Sequence, residues 1–264
     1  MEFYGGAVDK IHGDTIPYLN GYTVYTLREP HGVTDHIVPW NYPMQIIGRS
    51  VGGALTMGNT CVLKPAEEAC LTALAFAEIT REAGLPDGVL NVVPGLGSEA
   101  GAALSSHTGV HHMSFTGSVG TGQLIQTAAA QNVIPVTLEL GGKSPQLVFD
   151  DADINAALPF LVNAGIQNAG QTCSAASRIL VQRSVYDEVT SKMALKYRDL
   201  RVGPANDDYH IGPLISARQK EIVTDFLAQG RDLNVAARGE IITDAPEGGH
   251  YVAPTLFEGV APDH

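Results

Sequence analysis

Cys173 is the residue whose surroundings most favour covalent chemistry, because it lies in the polar segment GQTCSAASR at 170–178. Thr172 and Ser174 flank it, and the chain has three cysteines in all. A polar turn of this kind is a poor place for a core cysteine or for half of a disulfide. A cysteine nucleophile needs a nearby base or a setting that favours the thiolate, an oxyanion donor, and a way to resolve the covalent adduct. The rest of the chain must supply those groups.

Two polar residues are candidates for these roles. Glu139 ends the predicted strand VTLEL just before a Gly-Gly pair, and it could act as a general base. The alternative for Glu139 is a surface or interdomain carboxylate paired with Lys143, and its position alone favours that alternative. Asn41 in VPWNYP could donate an amide hydrogen bond to an oxyanion. A turn residue or helix cap is the commoner role for Asn, so both assignments stay open at this point.

The remaining cysteines and the histidines predict no metal site. Cys61 in NTCVL and Cys70 near the start of an apolar helical pattern are typical of buried small hydrophobic residues. His111 and His112 are adjacent on a predicted strand, so their side chains point to opposite faces. No pair of cysteines has the spacing of a zinc site.

The order of predicted elements from residue 33 onward indicates an open parallel sheet. Strands are predicted at 33–38, 59–63, 88–93, 110–115 and 133–140, and helices at 44–57, 66–84, 98–105 and 118–130. Short links between alternating strands and helices favour parallel pairing with right-handed crossovers and helices on both faces. The predicted fold class is therefore α/β, with a doubly wound, Rossmann-like domain followed by a second α/β domain.

The composition shifts after ELGGKSP at 139–145, and a second domain is expected there. Its predicted elements are helices at about 153–168, 184–198 and 216–230 and a strand at 178–182, with Ser184 and Asp187 resembling a capping box. Pro159 is expected to kink the first of these helices or to delay its start. The predicted organisation is an N-terminal segment at 1–30, a partial dinucleotide-binding domain at 31–142 and a partial catalytic domain at 143–264.

The N-terminal segment contains a predicted β-hairpin, at about 12–30. In TIPYLNGYTVYTLREP, Asn20-Gly21 separates two runs of strand-forming residues, which is a strong hairpin signal. An isolated hairpin is only marginally stable in water, so this one is expected to protrude and to join another sheet, in this chain or in a partner subunit.

Composition and charge exclude several classes of partner. The 264 residues are 44% hydrophobic and 17% charged, as in globular proteins, and the formal net charge is −12. This acidic balance argues against nucleic acid and against an anionic membrane. No apolar run approaches the roughly 20 residues of a membrane helix. Three scattered cysteines and a start without a signal pattern predict a cytoplasmic protein.

A dinucleotide site is predicted at the carboxyl ends of the parallel strands, where ligands of open sheets gather. Three segments follow strands there: VPWN (38–41), LKPAE (63–67) and FTGSVGTG (115–122). The glycines of the third could bring backbone amides to a phosphate, although a simple tight turn explains them about equally well. Glu67 could accept both hydroxyls of a ribose, with Lys64 nearby, and it would repel a 2′-phosphate. NAD is therefore favoured over NADP.

Taken together, VPWNYP, LKPAE, SFTGS, LELGGKSP and GQTCSAASR resemble, in this order, the NAD(P)-dependent aldehyde dehydrogenase superfamily. The resemblance covers essentially the whole chain, and the combination of ELGGK with GQTC is its most specific part. IGPLIS at 211–216 is also similar to a segment that follows the cysteine in the family. The resemblance implies that the chain lacks N- and C-terminal parts of the family.

The resemblance also implies a role for each matching residue. Cys173 would be the nucleophile, Glu139 the general base and Asn41 the oxyanion donor. The implied cofactor-binding residues are Pro39, Trp40, Lys64, Glu67, Gly97, Phe115, Thr116, Gly117, Ser118, Leu140 and Gly141. The hairpin would be an oligomerisation arm, which implies a homo-oligomer, dimer or tetramer.

The implied activity is oxidation of a small aldehyde to a carboxylic acid with NAD⁺, through a thiohemiacetal and a thioester on Cys173. Two alternatives remain at this point. One is transfer of the acyl group to coenzyme A in place of hydrolysis by Glu139-activated water. The other is a catalytically silent dinucleotide-binding or assembly fragment.

Overall fold

The computed structural model describes residues 1–262 and divides the chain after Leu140 into two compact units. The first unit contains the predicted hairpin and the predicted parallel sheet. The second begins at Gly141 and contains Cys173.

The first unit has seven strands and five α-helices among its described residues. The strands are β1 (Thr15–Ile16), β2 (Val24–Tyr25), β3 (Val33–Val38), β4 (Thr60–Pro65), β5 (Leu90–Val92), β6 (His112–Gly117) and β7 (Val136–Leu140). The helices are α1 (Glu2–Gly5), α2 (Pro43–Thr56), α3 (Leu71–Glu82), α4 (Ala102–Ser105) and α5 (Val119–Ala130). A π-helical turn at Gly97–Gly101 runs directly into α4. Strands β1 and β2 form the antiparallel hairpin.

Five strands form one parallel sheet in the order β5-β4-β3-β6-β7. The chain starts at the central strand β3, moves outward through β4 and β5, and then returns to the other side of β3 with β6 and β7. The order therefore reverses between β3 and β6, which is the position where open α/β sheets bind ligands. The prediction of a Rossmann-like parallel sheet is confirmed.

Apolar side chains cover both faces of this sheet. On one face Val38, Cys61 and Leu63 pack with α2 and α3 through a cluster that includes Ile47, Val51, Ala73 and Phe76. On the other face Met113 and Phe115 pack with Ile125 and Ala129 of α5. Both clusters are buried, and together they stabilise the sheet at whose carboxyl edge the predicted site residues of this unit lie.

Helix α3 begins later than the sequence pattern predicts. The prediction of a continuous helix from residue 66 is wrong, because a separate 3₁₀ turn covers Glu67–Ala69 and α3 starts at Leu71. Ala66 remains extended after Pro65, with φ −63° and ψ 149°. The 3₁₀ turn places the Glu67 carboxylate where it accepts a hydrogen bond from the Gly97 amide, 30 residues later in the chain.

Two ionisable residues lie buried next to each other in the central strand β3. Burial raises the pKa of the Asp35 carboxyl from 3.8 to about 7, against smaller lowering effects of the His36 backbone amide and the Lys64 charge. Burial, with a smaller contribution from His112, lowers the pKa of His36 from 6.5 to about 4. His36 Nε2 lies 2.9 Å from the Thr34 hydroxyl. Each residue is therefore held toward its neutral form in the folded state.

The Asp35→Asn variant is expected to gain stability over the wild type as the pH rises. Between pH 3.8 and about 7 the folded protein keeps a proton on Asp35 that the unfolded chain has lost, so this group lowers the free energy of unfolding as the pH increases. The difference in the free energy of unfolding, variant minus wild type, should grow by about 2 to 4 kcal/mol across this window. Urea denaturation at a series of pH values measures it.

The exposed residue Glu99 provides a matched control, because Glu99→Gln removes the same charge from the same unit. The free energy of unfolding of Glu99→Gln should differ little from that of the wild type at every pH. A difference for Asp35→Asn that is constant from pH 4 to pH 8 would show that Asp35 ionises alike in the folded and unfolded chain.

The second unit has three helices and three pairs of short strands among its described residues. The helices are α6 (Ile154–Ile166), α7 (Tyr186–Asp199) and α8 (Ala217–Gln229). The strands are β8 (Pro145–Val148), β9 (Arg178–Val181), β10 (Arg201–Val202), β11 (Asn234–Arg238), β12 (Glu240–Ile241) and β13 (Thr255–Glu258). Strands β8 with β9 and β10 with β12 pair in parallel, whereas β11 and β13 are antiparallel.

The core of the second unit lies between α6 and α7, with Leu158, Leu161, Val189 and Met193 buried in one cluster. Pro159 lies inside α6, which nevertheless runs from Ile154, where the side chain of Asp153 caps it by accepting from the Ala156 amide at 3.0 Å. Within residues 1–262, no helix is both long enough and apolar enough to cross a bilayer.

Candidate active site

Cys173 is exposed in a tight turn between α6 and β9. The Ala175 amide donates to the Thr172 carbonyl at 3.1 Å, and the Ala176 amide donates to the Ala164 carbonyl of α6 at 3.0 Å. Ala175 and Ala176 are both buried. The turn is therefore anchored by the small residues after the cysteine, while the cysteine itself stays accessible.

The backbone immediately before this turn is left-handed over three consecutive residues. Asn168, Ala169 and Gly170 have φ values of 51°, 55° and 76°. Glycine adopts this region freely and Asn tolerates it, but for an alanine it costs about 1 to 2 kcal/mol. Such strained backbone is typical of functional sites that the surrounding structure holds in place.

Gln171 holds the two sides of this segment together. Its Nε2 donates to the Asn168 carbonyl at 3.0 Å, and the Asn168 side-chain amide donates to the Gln171 carbonyl at 3.3 Å. Its Oε1 accepts from the Ile215 amide at 3.0 Å, which lies in the IGPLIS segment. Sequence reasoning did not assign a role to Gln171. The one signal for it in the sequence is its position two residues before the cysteine, because a hydrogen-bond partner 44 residues away cannot be predicted from local pattern.

The Gly-Gly pair of ELGGKSP lies beside the cysteine turn. Strands β8 and β9 pair in parallel with Pro145 opposite Arg178, so the residues preceding each strand meet at the same end of the pair. A Cβ atom on Gly142 would lie 3.8 Å from the carbonyl oxygen of Cys173. The Arg178 guanidinium donates to the Lys143 carbonyl at 3.0 Å. Gly141 and Cys173 are thus the two predicted site residues that the second unit contains.

Glu139 lies in the first unit, one residue before the end of β7, and it is exposed. In the sheet register it is opposite Thr116, and Leu140 is opposite Gly117. Leu140 packs against α5, where a Cβ on Gly122 would lie 2.7 Å from its side chain. The carboxylate therefore stands at the carboxyl edge of the sheet, on a strand that the adjacent Leu140 anchors.

Pro39, Trp40 and Asn41 follow β3 directly at the same edge, and all three are half-buried. Helix α2 begins at Pro43 with Tyr42 at the N-cap position. The helix-cap alternative for Asn41 is therefore wrong, because the residue after it occupies that position. Asn41 lies at the switch point between β3 and β6.

Phe115, Thr116 and Gly117 form the end of β6, and Ser118 begins the turn into α5. A Cβ on Gly117 would lie 2.5 Å from the Phe115 ring, so a larger residue at this position would require the ring to move. Ser118 caps α5, with its Oγ accepting from the Thr121 amide at 3.3 Å. The N-terminus of α5 thus opens at the carboxyl edge, which is the arrangement that binds phosphates in related sheets.

Lys64, Glu67 and Gly97 form one connected cluster at the end of β4. Lys64 Nζ donates to the Pro65 carbonyl at 3.0 Å and lies 3.6 Å from Glu67 Oε1, and the same oxygen accepts from the Gly97 amide at 2.5 Å. The Lys64 side chain is 3% exposed and that of Glu67 is 41% exposed.

The charge of Glu67 is stabilised within this cluster. Burial acts to raise the pKa of the carboxyl, but hydrogen bonds from the backbone amides of Glu67 and Gly97 and the charge of Lys64 outweigh it, so the pKa is lowered. The cluster therefore holds an accessible carboxylate beside a buried ammonium group, and the carboxylate suits a ligand with paired hydroxyls.

No group of three or more His, Cys, Asp or Glu side chains within residues 1–262 is arranged to hold a metal ion. The three cysteines are free, with Cys61 buried and Cys70 half-buried. Burial raises the pKa of the Cys61 thiol, against a smaller lowering effect of its hydrogen bond from Thr34. Only Cys173 is an exposed cysteine in this part of the chain.

These features define a protein with a Rossmann-like sheet in one unit and an exposed, braced cysteine turn in the other. The chain belongs to the aldehyde dehydrogenase family, whose model matches residues 1–264. It is 43% identical over 265 residues to the hydroxyisobutyraldehyde dehydrogenase of Mycolicibacterium austroafricanum, covering 100% of this chain and 53% of that protein. The chain thus spans about half the length of the curated relatives that it matches.

Two solved structures show the same fold over almost the whole chain. A putative aldehyde dehydrogenase from Burkholderia cenocepacia superimposes with a TM-score of 0.98 at 59% identity, covering 100% of this chain and 56% of that one. The NAD⁺ complex of aldehyde dehydrogenase from Bacillus cereus superimposes with a TM-score of 0.93 at 41% identity, covering 98% and 53%.

Proposed function

We propose that the protein oxidises a small aldehyde to a carboxylic acid with NAD⁺ as hydride acceptor, with Cys173 as nucleophile. The observation that carries this proposal is the exposed Cys173 in a turn that Gln171 and buried alanines hold in place. Membership of the aldehyde dehydrogenase family supports the reaction class. The NAD⁺ complex of the Bacillus cereus relative supports the cofactor.

The residues at the carboxyl edge of the first unit's sheet fit a dinucleotide. The paired charges of Lys64 and Glu67 suit the hydroxyls of an adenosine ribose, and the Gly97 amide already engages Glu67. Gly117 and Ser118 open the N-terminus of α5 toward a pyrophosphate. When bound, NAD⁺ supplies the acceptor for the hydride of the substrate.

The remaining predicted contacts would complete this site. Pro39, Trp40, Phe115, Thr116, Leu140 and Gly141 would form its walls. We propose a preference for NAD over NADP, because the ionised Glu67 would repel a 2′-phosphate.

The proposed chemistry assigns one task to each of three residues. The Cys173 thiolate adds to the aldehyde carbon, and the Asn41 amide donates to the oxyanion that forms, an interaction typically worth about 3 to 4 kcal/mol in the transition state. Loss of hydride leaves a thioester on the sulfur. Glu139 then takes a proton from water, the water oxygen attacks the thioester carbonyl, and the sulfur leaves as the thiolate.

Hydrolysis is favoured over transfer to coenzyme A because Glu139 provides a carboxylate that could activate water. Its side chain is exposed, and the adjacent Leu140 anchors the strand. Incubation with a panel of aldehydes and NAD⁺ tests the proposal. NADH and free acid should form in equal amounts, without a requirement for coenzyme A. A product that appears only as acyl-coenzyme A, or NAD⁺ binding without turnover of any aldehyde, would contradict it.

We also propose that the hairpin of β1 and β2 is an oligomerisation arm of a cytoplasmic protein. Large apolar side chains on and near it are exposed, among them Tyr18, Leu19, Tyr22 and Leu27. The free cysteines are consistent with a reducing compartment. Replacing Tyr18 and Tyr22 together by Ser should lower the molecular mass measured by analytical ultracentrifugation to that of a monomer. An unchanged oligomer would rule the arm out.

A further inference from the structure

Asp35 is a carboxyl that the proposed chemistry does not use, although it lies in the central strand of the dinucleotide-binding sheet. The residue is 0% exposed, and neither carboxylate oxygen has a hydrogen-bond partner of good geometry within residues 1–262. A buried carboxyl without partners costs stability, and such groups concentrate at functional sites.

The sheet register places Asp35 on the face that carries Lys64. Ile37 is opposite both Lys64 of β4 and Phe115 of β6, and Asp35 lies two residues before Ile37 on the same face. The Lys64 stem is covered by the π-helical turn, where a Cβ on Gly101 would lie 3.6 Å from Lys64 Cδ and 4.0 Å from Ile37 Cδ1. The positive charge of Lys64 acts on the Asp35 carboxyl from this position.

Lys64 is the charged residue that lies on the same face of the sheet as Asp35 and acts on it electrostatically. Strand β6 contributes the apolar Met113 and Phe115, and α5 contains no ionisable residue. Glu99, in the π-helical turn that covers Lys64, is exposed to solvent. His36 lies on the opposite face of β3, and its pKa of about 4 keeps it neutral at physiological pH.

We propose that Asp35 makes dinucleotide binding depend on pH, because uptake of a proton by its buried carboxyl strengthens binding of the dinucleotide at the Lys64–Glu67 cluster. The inference rests on the proposed function, because it assigns that cluster to NAD⁺. With Asp35 ionised, the three side chains Asp35, Lys64 and Glu67 carry a net charge of one negative unit. With Asp35 neutral they carry none, so the anionic pyrophosphate of the ligand meets less repulsion.

Because Asp35 changes its charge near neutrality, the effect falls in an accessible pH range. Isothermal titration of the wild type with NAD⁺ should give a Kd that rises about three- to tenfold between pH 6 and pH 8. In Asp35→Asn the Kd should stay near the low-pH value of the wild type throughout. Glu99→Gln, which removes one exposed carboxylate from the covering turn, should retain the slope of the wild type.

A second measurement needs no variant. Titration of the wild type at pH 7 in two buffers of different ionisation enthalpy should reveal net proton uptake on NAD⁺ binding, as linkage requires. This readout decides the question even if Asp35→Asn does not fold. Zero proton uptake, or the same pH dependence in Asp35→Asn as in the wild type, would overturn the role of Asp35 while leaving NAD⁺ binding intact. Failure of every protein to bind NAD⁺ at any pH would overturn the proposed function and this inference with it.

Discussion

Replacement of Cys173 by Ser is expected to reduce NADH formation from aldehydes by at least about 1,000-fold. A serine hydroxyl is a far weaker nucleophile than a thiolate at neutral pH, and it cannot form the thioester intermediate. The affinity for NAD⁺ should change little, because the residues proposed to bind the adenosine ribose and the pyrophosphate lie in the other unit. Steady-state NADH absorbance and a binding titration measure the two properties separately.

The matched controls are Cys61→Ser and Cys70→Ser. Cys61 is buried with a raised pKa and Cys70 is half-buried, so iodoacetamide should modify Cys173 much faster than either. The rate of inactivation should equal the rate at which Cys173 is alkylated, as peptide mass spectrometry reports. Comparable, slow alkylation of all three cysteines, or substantial turnover by Cys173→Ser, would favour a catalytically silent module.

Replacement of Glu139 by Gln is expected to slow steady-state turnover by about 100- to 10,000-fold while leaving a first, rapid release of NADH. Glutamine keeps the size of the side chain but cannot accept a proton from water, so oxidation would proceed and hydrolysis would stall. The amplitude of the first phase should approach one NADH per subunit. Intact-protein mass spectrometry should then detect the acyl group on Cys173.

Glu68→Gln is the control for this experiment, because Glu68 is an exposed carboxylate in the 3₁₀ turn before α3. It should turn over like the wild type. A Glu139→Gln variant without the first phase would place Glu139 before hydride loss, as the base for Cys173, and would contradict its assignment to hydrolysis. Full activity of the variant would exclude it as the base.

Much of the sheet could be predicted from the sequence, because its strands are short apolar runs separated by helical patterns. The predicted strand 33–38 coincides with β3, and the predicted helix 44–57 differs from α2 by one residue at each end. Such elements depend on local periodicity, which the sequence displays directly. The parallel pairing of the strands followed from the alternation of strand and helix, whereas their order in the sheet was not predicted.

The parts that could not be predicted depend on contacts between distant residues. The capping box proposed at Ser184 and Asp187 is wrong: Ser184 Oγ donates to Asp150 at 3.1 Å, and α7 begins at Tyr186 without a side-chain cap. The hydroxyl satisfies a carboxylate 34 residues earlier in place of the helix end. Likewise, the strand predicted at 33–38 contains Asp35, and its complete burial does not follow from the sequence, because an aspartate is rarely fully buried.

The brace formed by Gln171 has a practical meaning for protein engineering. One side-chain amide ties the peptide before Cys173 to a backbone group 44 positions later, in IGPLIS. Transfer of the GQTC segment alone into another scaffold would therefore move the cysteine without the Gln171–Ile215 hydrogen bond that holds its turn in place. A chimaera that exchanges both stretches together would carry the complete module.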